Sequence, residues 1–502
     1  MSHSNVNDGS NSRMLLARTG SMATLITSLV LCACASPTSQ PSPALSFAIP
    51  LNWSNPATMG DDSLTTWWIR FDDPVLNQLI SQSLNNNQTI KIAQTALRQA
   101  WAQRDIAEAT LLPTLDGSAS VQRNRLNETN NNLFQMGAAA NWSPDIFGGA
   151  RSGRNAAENA ALSSNASLGD TKVMIAAEVG LTYISLRDTQ TRFAIARQNL
   201  TNQEEILQIT EWRQKAELLT ILEVEQARTA AEQTRALMPQ LQISISQNQY
   251  ALALLTGQPP QTLEWMLSAA QPVPQAKVEL AVHIPADTLR QRADIKAAEY
   301  NVLAARERVN QAEAARLPSF ALGGSIGLSA LTAGMLTNGA SVISSLIGEV
   351  TLPIFDGGAK RAQVSLQQAA FDQAHLTYET AVLTALSDVE NALLALRNDQ
   401  LRYHSLAIAS ESAAIASQLA NQRYRSGIVD FQVVLQTQLT QLMTQDAVAS
   451  AYAVVSSDQI RLYKALGGGW QSESETNLIK NARSEMSIKN PTKNESNLIA
   501  IP

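Results

Sequence analysis

Cysteine is almost absent from this chain: Cys32 and Cys34, both near the N-terminus, are the two in 502 residues. No disulfide framework and no thiol chemistry can be built further along. Aromatic residues make up 5% and charged residues 16%, which argues against a bulky globular core. Ala, Gln, Ser, Asn and Leu dominate instead, a composition suited to long helices packed closely through small residues. A net charge of −6 without any dense Lys/Arg stripe gives no footing for nucleic acid. Beyond the N-terminus no run of about eighteen apolar residues occurs, so no helix is expected to span a bilayer.

Catalytic constellations are also lacking. His283, His375 and His404 are far apart and have no metal-ligand spacing. The glycine pairs lack the Lys-Ser/Thr of a phosphate loop, and no carboxylate pair stands out from ordinary helix-surface charge. One motif matches on paper: Gly323-Gly-Ser325-Ile-Gly327 reads G-x-S-x-G. A nucleophile elbow needs that Ser at a sharp turn from strand into helix, whereas Ser325 lies inside a continuing alternation. The expectation is therefore a protein that is not an enzyme, with no metal and no cofactor.

What the chain does have is a tandem duplication. Trp142-Ser-Pro-Asp-Ile-Phe-Gly-Gly-Ala-Arg151 returns as Val350-Thr-Leu-Pro-Ile-Phe-Asp-Gly-Gly-Ala-Lys360. Upstream, Ala107-Glu-Ala-Thr-Leu-Leu-Pro113 matches Ala312-Glu-Ala-Ala-Arg-Leu-Pro318, an offset of 205. Downstream, Ile184-Ser-Leu-Arg187 matches Leu394-Ala-Leu-Arg397, and Arg213-Gln-Lys-Ala-Glu217 matches Arg423-Tyr-Arg-Ser-Gly427, both at 210. The drift reflects short insertions, Asp356 among them. Two units result, about 75–256 and about 286–466, and a repeat of this kind decides the fold.

Read in order, residues 1–33 form a lipoprotein-type signal segment. Arg13 and Arg18 precede an apolar stretch from Met22 to Leu31, followed by Leu31-Cys-Ala-Cys34. This resembles the lipobox of bacterial lipoproteins, with Cys34 as the lipid acceptor; Ala35, rather than Asp, implies passage to the outer membrane. The stretch 34–60 reads as a flexible, lipid-anchored tether, being rich in Ser, Pro and Asn. A first repeat occupies 61–256, a linker 257–285 and a second repeat 286–470. The Ser/Asn/Lys-rich remainder, 471–502, has too little apolar surface to fold.

Within the repeats, Asp73-Pro74 starts one helix and Thr89–Leu112 forms another, ended by Pro113. Leu115, Gly117, Ala119 and Val121 alternate with polar neighbours, as do Phe134, Met136, Ala138, Ala140 and Trp142. The second unit repeats the pattern with Phe320, Leu322, Gly324, Ile326 and Leu328, then with Val342, Leu346, Val350 and Leu352. Two β-hairpins follow, about 115–142 and about 320–352. Period-two alternation over about ten residues suits a tilted strand with one face to lipid and one to water.

The long helices carry heptads: Val382, Leu386, Val389, Leu393, Leu396 and Tyr403 in one, Ile175, Val179, Thr182, Leu186, Thr189, Phe193, Ala196 and Leu200 in the other. A helix from Gly358 to Tyr424 would be about 100 Å long. Four strands cannot close a barrel, and an open edge is intolerable in lipid. Copies must pool strands: two leave no lumen, three do.

Trp67-Trp68 with Asp73-Pro74, the two Phe-Gly-Gly joins, Arg423-Tyr-Arg-Ser-Gly427 and Leu462-Tyr-Lys-Ala-Leu-Gly-Gly-Gly-Trp470 together resemble the TolC-like outer-membrane factors. Within that family they are similar to the lipoprotein branch serving resistance-nodulation-division efflux pumps. The resemblance implies a mainly α, internally duplicated chain. It also implies a homotrimer with a twelve-stranded membrane β-barrel continued by a twelve-helix coiled-coil periplasmic tunnel. Implied partners are a periplasmic adaptor protein, an inner-membrane proton-driven pump and outer-membrane lipid; the implied activity is a passive exit duct for drugs and other toxic small molecules. A lipid-anchored periplasmic coiled-coil scaffold is the alternative, and it leaves the alternating hairpins unexplained.

The resemblance also implies sites. Adaptor docking would fall on the helical turns at Glu217 and Gly427, and the periplasmic gate on Glu223 tied to Tyr424, with Asp430 and Gln436 on the lining. Val433 and Gln436 occupy positions where the family carries an acidic ring. Two further departures are Glu217, where Gly is usual and where a rebuilt turn is expected, and Ala293, where the family tends to have Pro.

Overall fold

The computed structural model describes residues 43–50, 53, 64–126, 129–276, 289 and 292–470. The signal segment, Cys32, Cys34, most of the 34–60 stretch, His283 and the tail lie outside them.

Residues Leu64–Phe71 form a short 3-10 helix, followed by α1 (Pro74–Asn86) and α2 (Gln88–Ala109). Asp73 explains the start of α1: its Oδ1 accepts from Val75 N at 2.8 Å and Leu76 N at 3.0 Å, while Pro74 fills a first-turn position that needs no N–H. Asn87 ends α1 and caps α2 through Thr89 N and Ile90 N. Strands β1 (Thr114–Leu126) and β2 (Thr129–Trp142) then lead into α3 (Gly149–Lys215) and α4 (Ile221–Leu255). After a single helical turn at Glu264–Leu267, the second half supplies α5 (Ala293–Ala314), β3 (Ser319–Ala330), β4 (Val342–Thr351), α6 (Ala359–Arg425) and α7 (Phe431–Ala465). The chain is predominantly helical, and the halves match: α3 and α6 both have 67 residues, α4 and α7 both 35.

Each strand-to-helix join turns on glycine and aspartate. Gly148 and Gly358 precede their helices with φ of 81° and 88°, a left-handed backbone that a side chain would strain. Asp145 accepts from Ala150 N and Arg151 N, and Asp356 from Gly358 N and Lys360 N. The inserted Asp356 thus does for α6 what Asp145 does for α3, placing a negative charge at the positive end of a helix.

The heptads face inward. Val179, Leu186 and Thr189 are buried in α3, and Val382, Val389, Leu393 and Leu396 in α6. Towards the ends of the long hairpins small residues join the buried set, Ala227, Ala230 and Ala231 on α4 and Ala413, Ser417 and Ala420 on α6, alongside Val224, Phe431 and Val434. One core gathers around Trp67, Tyr183 and Tyr463, and a second around Tyr378, Val382 and Trp53. The segment read as a free tether is in part seated on the second core. Trp53 is buried, Leu45 and Phe47 pack beside it, and Ser46 N donates to Glu379 Oε1 at 2.8 Å. Its few apolar residues, rather than its Ser and Pro content, decide this.

All four strands form one antiparallel sheet in the order β1-β2-β3-β4. The two hairpins are thus joined within the chain, Phe134 opposite Ala330 and Trp142 opposite Leu322. At the join Gly137 faces Gly327, and a Cβ on either would come within 2.8 Å of the opposite backbone.

Candidate functional site

The register puts the alternating residues of the four strands on a common face. Leu115 pairs with Ala140 and Val121 with Phe134; Met136 pairs with Leu328 and Ala138 with Ile326; Gly324 pairs with Leu346 and Phe320 with Val350. Partners directly across a ladder share a face, so one side is largely apolar from β1 to β4, with Ser344 opposite Ile326 and Arg123 and Arg125 at the hairpin end of β1 as polar exceptions. Leu115, Val121, Ile326, Leu346 and Val350 are all exposed on it. The opposite face carries Asp116, Ser118, Ser120, Gln135, Asn141, Ser325, Ser345 and Glu349, with Leu133, Ala139, Ala321, Ile343 and Ile347 as apolar exceptions. Strands β1 and β4 are the edges of the sheet, each paired on one side.

Ser325 sits in the middle of β3, and its Oγ lies 2.7 Å from Ser345 Oγ on β4. No helix follows it, so the G-x-S-x-G match forms no nucleophile elbow.

At the far end of the long helices the two turns are built alike. Helix α3 ends with Glu217 N donating to Gln214 O and Leu218 N to Arg213 O, both at 2.9 Å. Helix α6 ends with Gly427 N donating to Tyr424 O at 3.0 Å and Ile428 N to Arg423 O at 2.9 Å. This is the same Schellman closure. Glu217 takes φ 58° and Gly427 φ 71°, so the first turn is not rebuilt: the paired hydrogen bonds hold Glu217 in the conformation that glycine adopts freely. Leu218, Ile221 and Leu222 on one tip and Ile428 on the other are exposed.

Beyond the turn, Thr220 and Glu223 form a capping box. Thr220 Oγ1 accepts from Leu222 N at 3.2 Å, and Glu223 Oε2 accepts from Thr220 N at 3.0 Å and also from Thr220 Oγ1. The Thr220 hydroxyl first, and backbone N–H groups with it, hold the Glu223 carboxyl below its usual range. Tyr424 makes different contacts. The Arg213 guanidinium lies 5.0 Å from its ring centre, and Phe431 packs at 5.5 Å. Within one chain the structure does not bring Glu223 and Tyr424 together, and the buried Tyr424 hydroxyl has no partner. Asp430 precedes α7 without capping it through its side chain, and Asp430, Val433 and Gln436 are exposed.

Sequence reasoning missed the cross-hairpin ties. Arg192 on α3 donates to Asp446 on α7 at 2.6 and 3.1 Å, a fork-to-fork pairing. Asn199 Nδ2 donates to Gln445 Oε1 at 3.0 Å. Arg213 over Tyr424 is a third tie. Their signal would have been charge on the inward side of a heptad, which a pattern of apolar residues passes over. Among the described residues no group of three His, Cys, Asp or Glu could hold a metal, and His375 and His404 lie on α6 without a shared site.

The sequence model for Outer membrane efflux protein matches residues 79–258 and 284–468. The chain is 32% identical over 464 residues to the pyoverdine export outer membrane protein OpmQ of Pseudomonas putida, covering 89% of this chain and 97% of that protein. It is 30% identical over 471 residues to the outer membrane protein OprJ of Pseudomonas aeruginosa, covering 89% and 96%. The solved structure of the outer-membrane channel OprN superposes with a TM-score of 0.81 at 31% identity, covering 87% of this chain and all of that one. A free-standing periplasmic scaffold gives way to this likeness, which extends over helices and strands together: the chain belongs to the outer membrane efflux protein family and is an outer-membrane component of an efflux pump.

Proposed function

We propose that the chain assembles as a homotrimer and acts as a passive exit duct for drugs and other toxic small molecules. The carrying observation is the sheet: one largely apolar face runs across four strands, and among the described residues both edges, β1 and β4, are paired on one side only. In lipid each open edge would leave backbone groups unsatisfied at several kcal/mol apiece. Three copies pooling their sheets close a twelve-stranded barrel, wide enough for a lumen. Their α3–α4 and α6–α7 hairpins then form a twelve-helix tunnel below it.

In this reading a fatty-acyl chain on Cys34 tethers the N-terminus, and the barrel itself holds the protein in the bilayer. A periplasmic adaptor docks over the turns at Glu217 and Gly427, where Leu218 and Ile428 offer apolar surface. An inner-membrane resistance-nodulation-division pump drives transport. The gate lies at the hairpin tips, lined by Asp430 and Gln436. Its tie joins Glu223 to Tyr424 between neighbouring hairpins, and the unpartnered Tyr424 hydroxyl supports it. The test is carbonate and urea extraction of membranes carrying Cys34→Ala. The duct requires the variant to stay in the membrane fraction, and native mass measurement must give three chains. Release of the variant by carbonate, or a monomer in detergent, overturns the proposal. For the gate, Glu223→Gln with Tyr424→Phe should raise single-channel conductance in planar bilayers; unchanged conductance removes the pair from it.

A further inference from the structure

The four strands carry two basic residues between them, Arg123 and Arg125, both at the hairpin end of β1. The acids of the strands, Asp116 and Glu349, sit near the helix end and on the other face. The β1–β2 register runs unbroken from Thr114 to Leu126, so alternation places both arginines with Leu115, Ala119 and Val121 on the apolar face. That face closes at the row Val121, Phe134 and Ala330, the last in which β2 meets β3. Beyond it β2 pairs with β1 only, and the next two residues of β1 on this face are the arginines. Both are exposed, and among the described residues neither guanidinium has a hydrogen-bond or ion-pair partner.

All four connections to helices leave the same end of the sheet, at Thr114, Trp142, Ser319 and Thr351, so the arginines stand at the end remote from the helices. They lie eight and ten residues beyond Leu115, about 26 and 33 Å along a strand. At a strand tilt of about 40° that is a rise of about 20–25 Å, the upper edge of an apolar band about 25 Å tall. A cation on a lipid-facing strand is costly at mid-depth and nearly free at the interface, and the long arginine stem carries its charge out to the headgroups. Little at this end neutralises the pair. Residues 331–341, between β3 and β4, carry no charge, and the turn after β1 holds one acid in its sequence, Glu128. Two arginines against one glutamate leave one positive charge in excess, on a chain whose net charge is −6.

We propose that Arg123 and Arg125 bind the headgroup phosphate of a glycolipid in the outward leaflet of the membrane. The inference rests on the reading of the sheet as part of a lipid-facing barrel with its helices in the periplasm. Two residues apart on one strand face, the arginines stand about 7 Å from each other, and each presents a fork of N–H donors that fits phosphate oxygens. Asn132, opposite Arg123 and exposed, adds an amide for a sugar hydroxyl. Below them Ala119, Val121 and Phe134 give the acyl chains a surface continuous with the headgroup site. The strand that a second copy sets beside β1 is β4, whose one charge, Glu349, lies near the helix end, so the next copy supplies no counter-ion. Position decides between anionic lipids: the pair lies at the cell-exterior rim, where the leaflet of an outer membrane consists of phosphorylated glycolipid.

The test is native mass spectrometry of the purified full-length protein in detergent, titrated with bisphosphorylated lipid A. Saturable binding of one lipid per chain is expected, with dephosphorylated lipid A at least ten-fold weaker and phosphatidylglycerol at least five-fold weaker. Raising the salt from 50 to 300 mM should weaken the lipid A complex further. Arg123→Gln with Arg125→Gln should lose at least ten-fold, whereas Arg123→Lys with Arg125→Lys should stay within about three-fold of the parent. Arg316→Gln, an exposed arginine at the helix end of the sheet, should bind as the parent does. The comparison of phosphorylated with dephosphorylated lipid A uses the parent alone and decides the matter should the glutamine pair fail to assemble. Equal binding of those two lipids, or of phosphatidylglycerol, overturns the inference. A glutamine pair that resists carbonate extraction, keeps its oligomer and binds lipid A like the parent overturns this inference and leaves the barrel standing. Release of the parent itself by carbonate overturns both.

Discussion

A single residue can carry strain that its neighbours hold in place, and Glu217 does. With φ 58° it occupies a region that costs a side-chain-bearing residue about 1–2 kcal/mol relative to glycine, and two hydrogen bonds from the turn keep it there. Glu217→Gly should therefore raise stability by about 1 kcal/mol, read as a higher unfolding midpoint, while leaving the turn unchanged. Asp188 is a second such residue. Burial, with Asp446 adding to it and Arg192 opposing, pushes its pKa from 3.8 up to about 6, and its Oδ1 has no partner. Because the folded value is raised, no penalty exists below about pH 4. Stability falls as pH rises from there through about 6, where the folded protein is forced to ionise it. Asp188→Asn should stabilise the protein at pH 7 by about 1–2 kcal/mol after allowance for solvent screening and be near neutral at pH 4. Denaturant unfolding at the two pH values checks this.

At the scale of elements, the start of α4 is set by the Thr220–Glu223 box and the start of α7 by an Asp430 whose side chain does not cap it. The duplicated hairpins are therefore unequal at one end. Thr220→Ala should cost about 0.5–2 kcal/mol and speed amide exchange over residues 221–224, with α7 unaffected. The β2–β3 junction has the opposite character, no spare room: the Gly137–Gly327 pair brings two backbones together. Gly137→Val should prevent that pairing, and the variant should fail to give heat-resistant oligomers on a gel while the same change at the open Gly117 is tolerated.

Over the whole molecule, the start of the first repeat is fastened to the end of the second. Trp67 is fully buried, stacks on Tyr463 at 5.5 Å, and meets Trp68 and Phe71 edge-on. The terminal turn joins in, Gly469 N donating to Leu64 O at 3.1 Å. Behind them Gly169 leaves space for the Trp470 indole, whose Nε1 lies 2.4 Å from where a Cβ would stand. Trp67→Ala should cost about 3–5 kcal/mol, measurable as a lowered unfolding midpoint, because it opens the joint between the first repeat and the end of the second.

The duplication, the four alternating strands, the long heptad helices and the family itself could all be read from the residues. Each rests on local periodicity or on a short motif: Pro and Gly at a join, apolar residues every second or every 3.5 positions. Even the helix start at Asp73-Pro74 is a local matter. What no periodicity encodes is which surfaces meet. Only tertiary structure joined the two hairpins through Gly137 and Gly327, seated Trp53 on the second core and set Arg192 against Asp446. It also placed Arg213, not Glu223, beside Tyr424 within the chain. Glu217 shows the same division in one residue: its identity argues against a left-handed turn, and the hydrogen bonds of the closed helix end outweigh it. Local preferences are worth a few tenths to about 1 kcal/mol per residue, and packing and hydrogen bonding summed over a folded hairpin exceed them.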